Sequence, residues 1–336
     1  MASMKKLNII QIGITHEHAN GKIATLRKMT DTYNLIGYVD DRTFSSNLCY
    51  NDFSHLFADL KSFTLEEALN MPDLDAVAVE VPNPDLVTVG MQVMEHNIPM
   101  HLDKPAGYEL EPYKKLLDGC KAKNLPLQMG YMFRGNPVFK YVRHLVANNA
   151  FGDIFSIDMD MDHCYGGRPY EEYLSKLPGG IMSNLGCHLI DFIVALMGEP
   201  EKVHPFLKST RQAFPDAITN SLAVLEYPYA TVNVRCSCPK PGAKRHCRIG
   251  GTKGCAEFSP LERFDGKPLE LQLFFKEAVC GFQPGSYTIT FPPQYDRYIV
   301  QLQELADVIN GIAQPEYTYE HDYLVHKVTL EAAGVL

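Results

Sequence analysis

Apolar positions along this chain follow two different rhythms. In the first 130 residues, short unbroken apolar runs alternate with helical spacing. Leu7–Ile12 ends at Gly13 and is followed by a helical pattern over residues 22–29. Residues 35–39 and 75–81 read as further strands, and 65–69 as a short helix behind a Thr64 N-cap. A helix over 86–96, a strand over 99–102, a helix over 113–123, a strand over 125–131 and a helix over 137–148 complete the series. Strands alternating with helices at this spacing predict a parallel, doubly wound sheet, whose ligands bind beyond the carboxyl ends of the strands.

From Phe151 the rhythm changes to period two. Residues 154–162, 221–227 and 230–236 alternate apolar and polar, which predicts a mostly antiparallel sheet with one face covered. Leu189-Ile190 and residues 192–197 form an apolar helical run around Asp191, closed by Gly198 and Pro200, while 298–309 and 325–333 carry helical spacing. The pattern predicts two domains: 1–128, an α/β domain with a doubly wound parallel sheet of Rossmann type, and 129–336, an α+β domain with a mostly antiparallel open sheet. At 336 residues the chain exceeds one ordinary hydrophobic core, which agrees.

Composition narrows the partners. A net charge of -9 lacks the basic footprint that nucleic acid requires, and no apolar run is long enough to cross a bilayer. Nine scattered cysteines suit free thiols in a reducing compartment, so a cytoplasmic protein acting on small molecules is expected. Cys236, Cys238, Cys247 and Cys255 with His246 invite a zinc reading, but Cys236 and Cys238 alternate as strand residues do and no Cys-x-x-Cys pair occurs. No metal is expected there.

The candidate chemistry gathers at strand ends and one helix start. Gly13 occupies the first position of a dinucleotide fingerprint, with Ile14, Thr15 and His16 after it; Thr15 and His18 stand where the other two glycines would be. Asp40 ends the second strand, suited either to a ribose hydroxyl or to starting a turn, and its acidity favours NAD over NADP, although Arg42 leaves that choice open. Pro82-Asn83 and Asp103-Lys104 fall at later strand ends; Lys104 reads as functional or as a solvated surface lysine. On residues 179–191, Asn184, His188 and Asp191 lie three or four apart and share one helical face, although a histidine on an apolar helix is often a satisfied core residue.

Together these segments resemble the Gfo/Idh/MocA oxidoreductase family over nearly the whole chain. Asp103-Lys104-Pro105 looks like its Glu-Lys-Pro motif, residues 179–191 like its Gly-Gly…Asp-x-x-x-His-x-x-Asp helix, and Tyr131-Met132-Phe133-Arg134 like its interdomain segment; residues 250–254 and 320–322 also fit. The resemblance implies a nicotinamide cofactor, Lys104 as catalytic lysine and His188 as proton-transfer residue, with Asp191 placed to orient the imidazole. It implies oxidation or reduction of a secondary alcohol on a sugar, glycoside or cyclitol, in a homodimer or homotetramer. Tyr131, Arg134, His163, Tyr165, Arg168 and Asn184 are the candidate substrate contacts; for His163, Tyr165 and Arg168 a polar surface loop fits as well. The sequence departs from the family pattern at Asn184, which replaces an acid, in the glycine turn, and at Asp103, which replaces Glu. Two other readings remain: glycoside cleavage through transient oxidation on tightly held NAD, and a regulatory nucleotide-binding protein without catalysis.

Overall fold

A computed structural model describes residues 5–44, 51–210 and 215–336. The chain divides into two units: Met1–Tyr131 with Tyr298–Tyr323, and Met132–Arg297 with Leu324–Leu336. Among the described residues no helix is long and apolar enough to cross a membrane.

The first unit holds six parallel strands: β1 (Leu7–Ile12), β2 (Tyr33–Val39), β3 (Lys61–Phe63), β4 (Ala76–Val79), β5 (Met100–Leu102) and β6 (Leu127–Met129). Their order is β3-β2-β1-β4-β5-β6, so the chain reverses direction across the sheet between β1 and β4. Helices α1 (Ala19–Lys28), α2 (Leu65–Leu69), α3 (Asn83–Glu95) and α4 (Leu110–Ala122) supply the crossovers. The unbroken apolar runs are explained by burial on both faces: all four residues of β4 are buried. Helix α2 starts on a capping box, with the Thr64 hydroxyl accepting from the Glu67 amide and the Glu67 carboxylate accepting from the Thr64 amide.

In the second unit, α5 (Pro137–Ala147), α6 (Gly167–Leu174) and α7 (Cys187–Met197) accompany eight strands. These are β7 (Ile154–Asp160), β8 (Lys202–Lys208), β9 (Asn220–Tyr227), β10 (Ala230–Ser237), β11 (His246–Gly251), β12 (Gly254–Phe258), β13 (Leu269–Phe275) and β14 (Gly285–Phe291). Their order is β14-β13-β12-β11-β7-β10-β9-β8, antiparallel throughout except where β10 runs parallel to β7. The period-two pattern does what it predicts: β13 alternates buried and exposed residues along its whole length. Of the cysteines suspected of holding zinc, Cys236 lies in β10, Cys247 in β11 and Cys255 in β12, while Cys238, expected in the strand with Cys236, falls one residue past the end of β10.

The sequence-predicted boundaries need correction in two places. The first unit extends to Tyr131 rather than residue 128, and it also takes back residues 298–323 from the far end of the chain. Helix α8 (Ile299–Ile309) is the cause, since Tyr298, Leu302 and Ala306 pack on Leu7, Ile9, Leu26, Met29, Tyr33, Ala76 and Ala78. Polar contacts fix the same register: the Gln301 amide donates to the Tyr131 carbonyl at 2.6 Å, and the Tyr33 hydroxyl donates to the Leu302 carbonyl at 2.6 Å. Helix α9 (Tyr319–Ala332) follows.

Candidate functional site

Between β1 and β4 the two strand ends approach closely. Gly13 has φ +105°, and a Cβ there would stand 2.5 Å from the Glu80 carbonyl oxygen, so only glycine fits this turn. This is the tight turn expected of a first fingerprint glycine, at the switch point where such sheets take a dinucleotide.

The other two fingerprint positions are filled by side chains with work of their own. Ile14 donates its amide to Asp41 Oδ1 at 2.9 Å, and the Thr15 hydroxyl donates to Asp41 Oδ2 at 2.7 Å. Asp41 is therefore the buried acid that shapes the turn, and burial raises its carboxyl above the usual range against the pull of those bonds. Asp40, the acid singled out in the sequence, caps the short turn after β2 and accepts from Arg42 Nε at 2.9 Å and from the Arg42 amide at 3.0 Å. The Arg42 bond holds the Asp40 carboxyl below its ordinary value.

His16 and His18 both meet Asp103. His16 Nδ1 lies 2.9 Å and His18 Nδ1 2.8 Å from the same oxygen, Oδ2. Burial works against ionised Asp103, but the His18 charge and the bonds from both imidazoles outweigh it and hold the carboxyl well below the usual range. For His16 burial is outweighed by Asp103, and the imidazole is raised; for His18 burial wins and it is lowered. Glu80, at the end of β4, is pushed up to about 8 by burial and by Asp103, against the pull of Lys22. Lys22, itself fully buried, contacts His101 Nε2 at 2.6 Å and stands 3.6 Å from Glu80 Oε1. Nothing in the alternation of strands and helices signals that Lys22, Glu80 and His101 form one buried polar cluster with this turn.

Lys104 follows β5 with 0% of its surface exposed, which removes the reading of a solvated surface lysine. Its ammonium lies in electrostatic range of His16, Glu17 and His18. Asn83 donates its side-chain amide to the Lys104 carbonyl at 3.0 Å, so it clamps the turn that presents the lysine; Pro82 caps α3 immediately before it. Tyr131 is buried at the end of this stretch, its carbonyl taken by Gln301.

In the second unit the predicted polar helix start is present, but its partners differ from those expected. Residues 182–186 make a π-helical turn ahead of α7, which adds a residue per turn and changes the phase on which Asn184 was aligned with His188 and Asp191. Asn184 donates to the Tyr170 hydroxyl at 2.8 Å. His188 Nδ1 accepts from the Met132 amide at 3.3 Å. Arg134 grips Asp191 through Nε at 3.1 Å to each oxygen and Nη2 at 2.6 Å, both groups buried. The guanidinium fork matches a carboxylate better than an imidazole does, and neither charge tolerates burial alone. The fork of Arg134, expected to contact substrate, is engaged in that pair.

His163 and Tyr165 stack at 3.5 Å between ring centroids, with Tyr170 5.3 Å from His163. The structure thus brings His163, Tyr165 and Asn184 together around Tyr170, a residue that sequence reasoning passed over although it lies two positions after Arg168. Arg168 is apart from them in character: its side chain is 73% exposed and pairs with Glu172 one turn along α6.

A six-stranded parallel sheet in this order, with a glycine turn after its first strand, defines a dinucleotide-fold protein, here joined to a largely antiparallel sheet. Residues 139–257 match the GFO/IDH/MocA C-terminal domain. The chain is 25% identical over 226 residues to an uncharacterized oxidoreductase, C115.03, of Schizosaccharomyces pombe, covering 62% of this chain and 58% of that one. The chain spans about half the length of the curated relatives it matches. Among solved structures, levoglucosan dehydrogenase in complex with NADH shares the fold at a TM-score of 0.80 and 16% identity, over 98% of this chain and 97% of that one. UDP-N-acetylglucosamine 3-dehydrogenase GnnA from Acidithiobacillus ferrooxidans gives 0.78 at 15% identity, over 99% and 98%.

Proposed function

We propose that this protein is a nicotinamide-dependent oxidoreductase that interconverts a secondary alcohol and a ketone on a sugar, glycoside or cyclitol. The observation that carries the reading is Lys104, a fully buried lysine beyond the carboxyl end of β5 in a sheet built for dinucleotides. Gly13 fits the group at the turn, since its backbone occupies a place no side chain could share. Asp40 stands where adenosine ribose hydroxyls would be accepted, and NAD is preferred to NADP on that ground, with Arg42 beside it as the residue a 2′-phosphate would engage.

When bound, the nicotinamide supplies or accepts the hydride. The chain's own residues manage the proton and the charge. Lys104 stabilises the developing alkoxide with its ammonium. The Met132 amide donates to His188 Nδ1, so the neutral imidazole carries its proton on Nε2 and donates a hydrogen bond to the substrate oxygen, while the transferred proton passes between that oxygen and Lys104, ammonium to amine in the reducing direction and amine to ammonium in the oxidising one. The rings of His163, Tyr165 and Tyr170 and the amide of Asn184 offer the mixture of apolar face and hydrogen bond that a polyol requires. The relatives named as sugar dehydrogenases support the same substrate class.

The test is nicotinamide absorbance against a panel of polyols and their ketones with both cofactors. Activity should appear with NAD, and Lys104→Ala and His188→Ala should each lose about 10²–10⁴-fold in turnover. Unchanged turnover in both variants would refute the assignment.

A further inference from the structure

The residues that break the glycine fingerprint have a use of their own. His16, His18, Glu80 and Asp103 each offer a donor atom within 4.8 Å of the other three. His16, Glu80 and Asp103 are buried and His18 is half-buried. Two imidazoles converge on one oxygen of Asp103. Glu80 faces them from the end of β4 with 0% exposure, and neither of its carboxylate oxygens makes a hydrogen bond; His16 Nε2 makes none either. Lys22 Nζ comes no nearer to Glu80 than 3.6 Å. Beyond the Lys22 ion pair, the buried oxygens of Glu80 are left without hydrogen bonds, and a second cation among these groups would satisfy them.

We propose that His16, His18, Glu80 and Asp103 bind one divalent transition-metal cation of the zinc class, beyond the carboxyl ends of β1, β4 and β5. Two imidazoles and two carboxylates are a zinc-type donor set, whereas calcium and magnesium take oxygen. Bonds of about 2.0–2.2 Å in a tetrahedron place donors about 3.3–3.6 Å apart, so groups that now lie within 4.8 Å of one another reach that geometry by shifts of about 1 Å. Two carboxylate charges balance the dication. His18 stands at the third fingerprint position and His16 within the same turn, which gives the loss of that glycine a chemical purpose separate from the hydride-transfer reading.

The experiment strips the full chain with a chelator and titrates it with zinc against a chromophoric competitor and with cobalt by visible absorption. One equivalent per chain with tetrahedral cobalt bands is expected, with Glu80→Gln and His18→Gln each weakening binding at least tenfold and His96→Gln, on the surface, leaving it unchanged. Equal affinity across all of these, or no tetrahedral bands, overturns the proposal. X-ray absorption at the zinc edge of the unaltered protein decides independently of how the variants fold. Nitrogen and oxygen neighbours at about 2.0–2.2 Å with imidazole scattering support the site, and sulfur at about 2.3 Å transfers the metal to the cysteines and overturns it.

Discussion

Arg134 and Asp191 illustrate how far residue-level reading goes. Helical spacing singled out Asp191 as a polar residue on an apolar helix, but its Arg134 partner comes from 57 residues upstream, and only the fold could bring it there. Breaking a buried pair leaves one charge without compensation, so Arg134→Met should cost about 3–5 kcal/mol in urea denaturation, with Arg134→Met/Asp191→Leu recovering most of the loss. Equal stability of the single and double variants would show that the pair is not what holds these groups in place. Lys104 is a case of the opposite kind. A lysine before proline at the end of an apolar strand was legible as a candidate, and burial then separated the functional reading from the surface one.

At the scale of elements, β1, α2 and α5 begin where the hydrophobic spacing and caps put them, because each is defined by local chemistry: an apolar run, a capping box, a proline in the first turn. Helix α8 was equally visible as an amphipathic stretch, yet its apolar stripe does not say which core it joins. It covers one face of the parallel sheet. Leu302→Ala should therefore destabilise by about 2–5 kcal/mol, with amide exchange accelerated in β1 and β2 and little changed in β9 and β10. Acceleration confined to β9 and β10 would contradict the packing. The π-helical turn at residues 182–186 was invisible for a related reason: one extra residue in a turn leaves no mark on an apolar pattern.

At the scale of the whole molecule, the first unit is discontinuous in sequence. Residues 1–131 alone would leave Leu7, Ile9, Tyr33, Ala76 and Ala78 without the cover of α8. That fragment should melt without a cooperative transition by circular dichroism, and joining residues 298–323 to it through a flexible linker should restore one. A sharp, equally stable transition in the bare fragment would show that α8 is dispensable. The sequence by itself determined the kinds of element, the division into a parallel and an antiparallel sheet, and the residues at the strand ends, because these follow from side-chain periodicity and turn chemistry a few residues long. Tertiary structure alone decided that Asp191 belongs to Arg134, that α8 completes the first sheet, and that Lys22, Glu80, His101 and Asp103 gather around the His16 turn. Such pairings are chosen by burial and charge compensation between segments far apart in the chain, and no local pattern encodes them.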